Sequence, residues 1–154
     1  NKIIKGIEAF VPGKMRLNII SSNGMKIIND AYNASPHSMK AAIDVLKEIA
    51  GTSRSIAVLG DMLEMGDWAL GAHVEVGEYA FLSNIDYIIT VGENAKNIAH
   101  GSIKAGMQPD RVFSFKNNKE SIAFLKGFVK AGDTILVKGS RGMKMEEIAE
   151  SLQE

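Results

Sequence analysis

Three side chains that could bind a small ligand lie close together in the stretch 27–36, which reads Ile-Ile-Asn-Asp-Ala-Tyr-Asn-Ala-Ser-Pro. Asp30 could accept hydrogen bonds from sugar hydroxyls, Tyr32 could stack on a flat ring, and Asn33 could bind polar edges. The stretch begins as an apolar strand and ends where a helix should start, and open α/β sheets bind ligands beyond the carboxyl ends of their strands. The alternative interpretation is an Asx-turn leading into the helix, with Tyr32 filling a surface groove.

A second group of chemically capable residues forms the segment Lys138-Gly139-Ser140-Arg141-Gly142. It supplies two cations, a hydroxyl and glycine N–H groups just ahead of a predicted helix, which are the components of an anion site. Arg141 could hold a carboxylate or a phosphate in a bidentate fork. The alternative is a solvated turn. Glycine loses more conformational entropy on folding than any other residue, so ordering Gly-Ser-Arg-Gly costs more than a simple turn would need, and we favour the anion site. Neither G-x-x-x-x-G-K-[ST] nor G-x-G-x-x-G occurs in the chain.

The segment 60–66, Gly-Asp-Met-Leu-Glu-Met-Gly, is too irregular for a helix and carries two carboxylates. Asp61 and Glu64 could bind a substrate ammonium group or help to hold a cation, or they could equally cap the next helix. His73 lies near this segment, but without a partnering Ser or Cys motif we interpret it as structural. No spacing typical of metal ligands occurs, and we predict no metal site in this chain.

Each of these polar segments follows a strand in a chain whose apolar residues switch between strand-like and helical spacing. The Asn23-Gly24 pair is a strong hairpin signal between the first two strands. Ser35-Pro36 suits the start of a helix, and Asn117 with Glu120 resembles a capping box. The predicted strands are 15–20, 25–29, 55–59, 85–91, 111–115 and 134–137, and the predicted helices are 36–50, 72–82, 93–105, one starting at 117 and one after 142.

Alternation at this spacing indicates right-handed βαβ connections and therefore an α/β fold. We predict a Rossmann-like three-layer domain with a mainly parallel sheet of about six strands, an N-terminal antiparallel hairpin and helices on both faces. The order of the strands beyond the hairpin stays open. In a parallel sheet the three polar segments fall on the same edge, which predicts one cleft that holds Asp30, Asp61, Glu64, Lys138 and Arg141.

The composition argues against several other functions. The 154 residues fit one domain, and 45% of them are hydrophobic, which is enough for a core. The 18 basic and 18 acidic residues balance, which argues against a nucleic-acid partner. No apolar run approaches the roughly 20 residues that span a bilayer, so no membrane partner is expected. The chain has no cysteine, which is compatible with a reducing cytoplasm, and it begins with Asn1 rather than Met, so we expect a fragment or a processed product.

Five segments of the chain stand in a characteristic order. They are 12–15 (Pro-Gly-Lys-Met), 29–36 (Asn-Asp-Ala-Tyr-Asn-Ala-Ser-Pro), 38–42 (Ser-Met-Lys-Ala-Ala), 59–66 (Leu-Gly-Asp-Met-Leu-Glu-Met-Gly) and 136–146 (Leu-Val-Lys-Gly-Ser-Arg-Gly-Met-Lys-Met-Glu). Together they resemble the C-terminal domain of the Mur ligases, over nearly the whole chain. Gly-Asp-Met-x-Glu-x-Gly and Lys-Gly-Ser-Arg are similar to the branch that adds D-alanyl-D-alanine. The Asp-Asn-Pro-Arg motif of the branch that adds a diamino acid is absent.

The resemblance implies a function for a longer protein. Mur ligases of this branch join D-alanyl-D-alanine to UDP-N-acetylmuramoyl-tripeptide in the bacterial cytoplasm during peptidoglycan synthesis, using ATP and magnesium. The peptide carboxylate is phosphorylated to an acyl phosphate, which the dipeptide amine attacks. Residues 1–10 would end a central ATPase domain, and residues 11–154 would be the C-terminal domain that closes over ATP. The phosphate loop and magnesium ligands belong to the central domain, so we expect this chain alone to have no catalytic residue, no activity and weak ATP binding.

The resemblance also implies roles for the candidate site residues. Asp30 matches the acid that contacts the nucleotide ribose, and Tyr32 and Asn33 would lie against the nucleotide. Lys14 stands where the family usually has an arginine that serves ribose and phosphate, and lysine keeps the charge but loses the bidentate fork. The residues that would handle the incoming dipeptide are Asp61, Glu64, Lys138, Ser140 and Arg141.

Two alternatives stay open at this point. One is a sibling amino-acid or peptide ligase of the same architecture with another substrate, which an exchange of substrates in the full-length protein would distinguish. The other is a non-enzymatic α/β module that binds a nucleotide or an acidic ligand. That module would show measurable ATP affinity as an isolated chain.

Overall fold

The chain folds around a six-stranded sheet with the strand order β1-β2-β6-β3-β4-β5. The structure, a computed structural model, describes residues 18–31 and 33–154. The strands are β1 (Asn18–Ser22), β2 (Met25–Asp30), β3 (Ser55–Gly60), β4 (Tyr87–Val91), β5 (Val112–Phe115) and β6 (Thr134–Lys138). The helices are α1 (Pro36–Ala50), α2 (Ala69–Leu82), α3 (Lys96–Ala105), α4 (Asn118–Phe128) and α5 (Glu146–Ser151). The expectations for residues 1–10, for Lys14 and for Tyr32 lie outside the described residues.

Backbone pairing confirms a mainly parallel sheet with an antiparallel hairpin at its start. β1 and β2 run antiparallel, and between them Asn23 and Gly24 both have positive φ values, 54° and 79°, as a type I′ turn requires. The pairs β2–β6, β6–β3, β3–β4 and β4–β5 are parallel. The carboxyl ends of β2, β6 and β3 therefore lie next to one another.

Side-chain caps explain where α1 and α4 begin. The Ser35 hydroxyl accepts from the Ser38 N–H at 3.1 Å, and the Ser35 N–H donates to Ser38 Oγ at 2.8 Å. Asn117 Oδ1 accepts from the Glu120 N–H at 2.9 Å, as predicted. The predicted capping box at Asn117 is only half formed, because the Glu120 carboxylate accepts from the Lys116 N–H instead of the cap residue's own N–H.

Helices cover both faces of the sheet, which confirms the three-layer prediction. On one face α1, α2 and α3 pack against the sheet, and on the other α4 and α5 do so. Because neighbouring strand residues point to opposite faces, Ile27 and Ile28 of β2 belong to different layers. Fully buried residues include Ile28, Met39, Ile43, Leu46, Leu59 and Ile98 on the first face and Ile27, Ile56, Ile89, Leu125 and Ile148 on the second.

α2 and α3 cross at two glycines that bring their backbones together. A Cβ atom placed on Gly77 would lie 1.9 Å from the Ile98 carbonyl oxygen, and one on Gly101 would lie 2.1 Å from that of Val74. Any side chain at either position would collide with the backbone of the other helix. The crossing therefore requires glycine, and it fixes α3, which follows β4 and begins at the carboxyl edge of the sheet.

Candidate functional site at the carboxyl edge

Three loops that follow neighbouring strands meet at the carboxyl edge of the sheet. Residues 31–35 follow β2, residues 61–66 follow β3 and residues 139–142 follow β6, and β6 lies between the other two strands. Asp30 and Lys138, the last residues of β2 and β6, stand side by side in the register. We call these loops, with Asp30 and Lys138 at their base, the carboxyl rim. The rim confirms the predicted convergence of the three polar segments on one edge.

Asp30 and Lys138 form a buried ion pair at the base of the carboxyl rim. Lys138 Nζ lies 2.8 Å from Asp30 Oδ2, and the two residues are only 3% and 5% exposed for the lysine and the acid. The same ammonium donates to the Asn33 carbonyl oxygen at 2.8 Å. Lys138 therefore ties β6 to the loop after β2 through two charge-assisted hydrogen bonds.

This geometry changes the interpretation of the segment 138–142 as an anion site. Lys138 is paired within the protein, and the Ser140 hydroxyl oxygen accepts from the Leu63 N–H at 2.7 Å. A 3-10 turn, Arg141–Met143, begins within the segment, and α5 starts only at Glu146, so that helix does not begin directly after the glycines. The arginine of that turn is exposed at the rim. Within the segment, the lysine is buried and the arginine is exposed to solvent.

Asp61 is buried behind the rim and bound to the start of α3. Its Oδ1 accepts from the Ala95 N–H at 2.7 Å, and 7% of the residue is exposed. Burial raises the pKa of the Asp61 carboxyl, although hydrogen bonds from the Ala95 and Asn94 N–H groups act in the opposite direction. A Cβ on Gly92 would lie 2.5 Å from Asp61 Oδ1, so glycine is needed there for this approach. Asp61 therefore does not cap the next helix, α2, which was one of the two alternatives; its hydrogen bond goes to the residue that precedes α3.

The backbone of the loop after β3 is held by side chains from two other elements. The Met62 N–H donates to His73 Nε2 at 2.9 Å, and the Leu63 N–H donates to Ser140 Oγ. The Ser140 N–H in turn donates to the Asp61 carbonyl oxygen at 2.9 Å. Residues 61–63 are thus bonded on one side to α2 and on the other to the loop after β6.

Glu64 follows this bonded segment with its backbone in the left-handed region, at φ 63°. A residue other than glycine adopts that conformation only where its surroundings hold it. Glu64 is exposed, as is Arg141 on the neighbouring loop. On the loop after β2, Asn33 is exposed and its Oδ1 accepts from the Ala34 N–H at 2.8 Å. Glu64 and Arg141 are the exposed charged residues of the two loops, 61–66 and 139–142.

The partners of two site carboxylates were not predicted from the sequence. Lys138 as the partner of Asp30, and the start of α3 as the partner of Asp61, both depend on strand order, which residue periodicity leaves open. His73 is fully buried on α2 and accepts from the Met62 N–H, which agrees with its structural interpretation. Its inward position on the helix was the available signal, because a buried polar side chain needs a hydrogen-bond partner.

Within residues 18–31 and 33–154, no group of three or more His, Cys, Asp or Glu side chains could hold a metal ion. The buried carboxylates Asp30 and Asp61 are bonded to protein partners instead. These residues therefore do not fit a magnesium site. In the same part of the chain, no helix combines the length and apolar character needed to cross a membrane.

The fold and the rim define an α/β domain whose candidate binding groups lie beyond the carboxyl ends of a mainly parallel sheet, where such domains bind ligands. The profile of a family described as "Mur ligase, glutamate ligase domain" matches residues 15–141. The chain therefore belongs to the Mur ligase family.

Individual relatives agree with this membership. The chain is 42% identical, over 151 residues, to the UDP-N-acetylmuramoyl-tripeptide–D-alanyl-D-alanine ligase of Bacillus subtilis, covering 97% of this chain and 33% of that protein. A crystal structure of MurF from Acinetobacter baumannii superposes with a TM-score of 0.79 at 30% identity, covering 90% of this chain and 30% of that one. The crystal structure of MurF ligase from Thermotoga maritima in complex with ADP superposes with a TM-score of 0.73 at 27% identity, covering 93% of this chain and 31% of that one. The chain thus spans about a third of the length of these relatives.

Proposed function

We propose that this chain is the C-terminal domain of a bacterial, cytoplasmic, ATP-dependent ligase that adds D-alanyl-D-alanine to UDP-N-acetylmuramoyl-tripeptide. The observation that carries the proposal is the meeting of three polar loops at one edge, in a chain 42% identical to such a ligase from Bacillus subtilis. The carboxyl rim would be one wall of an active site whose other wall belongs to the rest of the enzyme. Residues 11–154 would form this domain, and residues 1–10 would end the central ATPase domain.

In the proposed reaction, the peptide carboxylate attacks the γ-phosphorus of ATP, ADP leaves and an acyl phosphate forms. The dipeptide amine then attacks the acyl carbon, and phosphate leaves as the amide bond forms. We assign phosphoryl transfer and magnesium to the central domain, since the chain has no phosphate-loop motif and its described residues have no metal-binding cluster. This domain would orient the amine and exclude water when the domains close.

We assign Asp30, Asn33, Tyr32 and Lys14 to the nucleotide side of the site. A carboxylate has about four lone-pair positions, so Asp30 can accept from Lys138 and from a ribose hydroxyl at the same time. We assign Lys138 to the nucleotide side as a positioning residue, instead of to the dipeptide side as expected from the sequence, because its ammonium is bonded to Asp30 and to the loop after β2. The ADP complex of the Thermotoga maritima relative supports nucleotide use in the family.

We assign Glu64, Arg141 and Ser140 to the dipeptide side. D-alanyl-D-alanine carries an ammonium group at one end and a carboxylate at the other, and the exposed pair of Glu64 and Arg141 offers the complementary charges. Arg141 suits the carboxylate because its guanidinium can form a bidentate fork. The Ser140 hydroxyl accepts from the Leu63 N–H and keeps a proton to donate to the ligand. Asp61 would support this side through α3 rather than by touching the ligand.

The test is ATP-dependent phosphate release by the full-length enzyme with UDP-N-acetylmuramoyl-tripeptide and D-alanyl-D-alanine. We expect release that requires both substrates, little release with single amino acids, and none from the isolated chain. Fast ligation by the isolated chain would overturn the proposal. Release with a different amino acid instead of the dipeptide would identify a sibling ligase. Tight calorimetric binding of ATP to the isolated chain, with no ligation by the full-length protein, would indicate a nucleotide-binding module.

A further inference from the structure

His73 is a buried imidazole that holds part of the backbone of the carboxyl rim. His73 lies on α2 and has no exposed surface. Its Nε2 lies 2.9 Å from the Met62 nitrogen and its Nδ1 lies 2.6 Å from the Ala69 carbonyl oxygen. The ring thus bridges the first residue of α2 and the loop after β3.

The hydrogen-bond partners assign the tautomer of this imidazole. A backbone N–H can only donate, so Nε2 must accept from Met62. A carbonyl oxygen can only accept, so Nδ1 must carry the proton that is donated to Ala69. His73 is therefore neutral, with its proton on Nδ1, and both ring nitrogens are used inside the protein.

The hydrogen bond from the Met62 N–H to His73 also constrains the backbone two residues further along, at Glu64. Met62 and Leu63 are anchored by His73 and Ser140, and Glu64 follows at once in the left-handed conformation. That conformation persists only while neighbouring contacts hold it. Without the acceptor at position 73, the Met62 N–H would be buried with no partner or would turn toward water, and Glu64 would lose its fixed direction.

We propose that His73 is a positioning residue that holds the loop after β3 so that Glu64 faces the incoming dipeptide beside Arg141. This inference rests on the proposed function, because the dipeptide is the ligand that Glu64 would meet. His73 touches no substrate and performs no proton transfer. Its contribution is the acceptor nitrogen that fixes the Met62 amide.

The test compares His73→Met with His73→Gln in the full-length enzyme. Gln can accept from Met62 and donate to Ala69, whereas Met has a similar size and neither polar group, so the pair isolates the hydrogen bonds from the volume. Small misplacements cost large factors in oriented reactions, so we expect His73→Met to raise the KM for D-alanyl-D-alanine about tenfold or more. In His73→Met the KM for ATP should stay within about twofold of that of the unmodified enzyme. In His73→Gln the KM values for both substrates should lie within about threefold of the unmodified enzyme's.

Amide hydrogen exchange on the same variants gives a readout that does not depend on activity. The Met62 and Leu63 amides should exchange faster in His73→Met than in His73→Gln, with core strands unchanged. Ser102→Ala removes a different buried polar group, the Ser102 hydroxyl, which donates to the Ala99 carbonyl oxygen within α3. This variant serves as the control for general destabilisation. It should leave both KM values and the Met62 exchange unchanged.

Several results would overturn the inference. Equal dipeptide KM values for His73→Met and His73→Gln, or a parallel rise of both substrates' KM values, would assign His73 to general stability alone. If His73→Met does not fold, His73→Leu against His73→Asn is a second near-isosteric pair judged by the same criteria. If the unmodified enzyme releases no phosphate with the dipeptide, the proposed function fails, and the loop-holding role is judged on exchange: equal protection of Met62 in the two variants overturns it.

Discussion

Removal of the Lys138 ammonium from its pair with Asp30 should cost the protein a large part of its stability. Lys138→Met keeps most of the aliphatic stem and leaves the Asp30 carboxylate buried, at 5% exposure, without its cation. Breaking a buried ion pair from one side costs about 3–5 kcal/mol. The Asn33 carbonyl oxygen also loses a donor at 2.8 Å. Since domains are stable by only about 5–15 kcal/mol, we expect about a fifth or more of the unfolding free energy to be lost.

Urea unfolding followed by far-UV circular dichroism measures this loss, and a double-mutant cycle tests its cause. Asp30→Asn removes the buried charge, so Lys138→Met added to it should cost about 1–3 kcal/mol less than it does alone. Lys126→Met is the matched control, because the Lys126–Glu154 pair is 3.2 Å long but 50% and 71% exposed. An exposed pair contributes at most about 1 kcal/mol. Equal losses in the two lysine variants, or strict additivity in the cycle, would refute the reasoning.

Three further predictions concern the framework around the rim. Gly77→Ala should destabilise the protein by about 1–3 kcal/mol or more, since its Cβ would lie 1.9 Å from the Ile98 carbonyl oxygen. Gly71→Ala lies in the same helix but faces open space, so in the same urea assay it should stabilise the protein by about 0.5–1 kcal/mol. Burial raises the pKa of the Asp61 carboxyl above its ordinary 3.8, so its protonated form favours folding, and that stability is lost as pH rises through the raised pKa. As pH rises from acidic to neutral, Asp61→Asn should therefore gain stability relative to the unmodified protein. If urea titrations at acidic and at neutral pH gave the same difference in unfolding free energy between the two proteins, this prediction would be wrong. Ser35→Ala removes the cap of α1 and should cost about 1 kcal/mol, measured as a lower urea midpoint.

Much of the fold follows from local sequence patterns. Asn23-Gly24 predicted the hairpin because its two residues tolerate positive φ, and Ser35 predicted the start of α1 because its hydroxyl can bond the free N–H groups of a first turn. The edge on which the three loops meet was predictable as well. Parallel strands separated by helices all end on the same side, whatever their order in the sheet.

The contacts within the site could not be predicted in the same way. Asp30 and Lys138 are 108 residues apart in the chain, and only the insertion of β6 between β2 and β3 makes them neighbours. Their mutual pairing therefore depends on strand order, which no local pattern encodes. The same holds for Asp61, whose partner at Ala95 lies beyond a further strand. The sequence predicts which polar residues form the rim, whereas the sheet order decides which of them are buried against each other and which are exposed.

In the proposed function, the rim presents one set of side chains to the dipeptide and another to the nucleotide. The most direct measurement is the pair of KM values of Arg141→Ala in the full-length enzyme, for D-alanyl-D-alanine and for ATP. Arg111→Ala is the control, since this arginine precedes β5 and lies at the opposite edge of the sheet, 46% exposed. We expect Arg141→Ala to raise the KM for the dipeptide about tenfold or more, because a charge-assisted bidentate contact is lost. The KM for ATP, and both KM values of Arg111→Ala, should stay unchanged. A rise in the ATP KM alone would contradict this prediction.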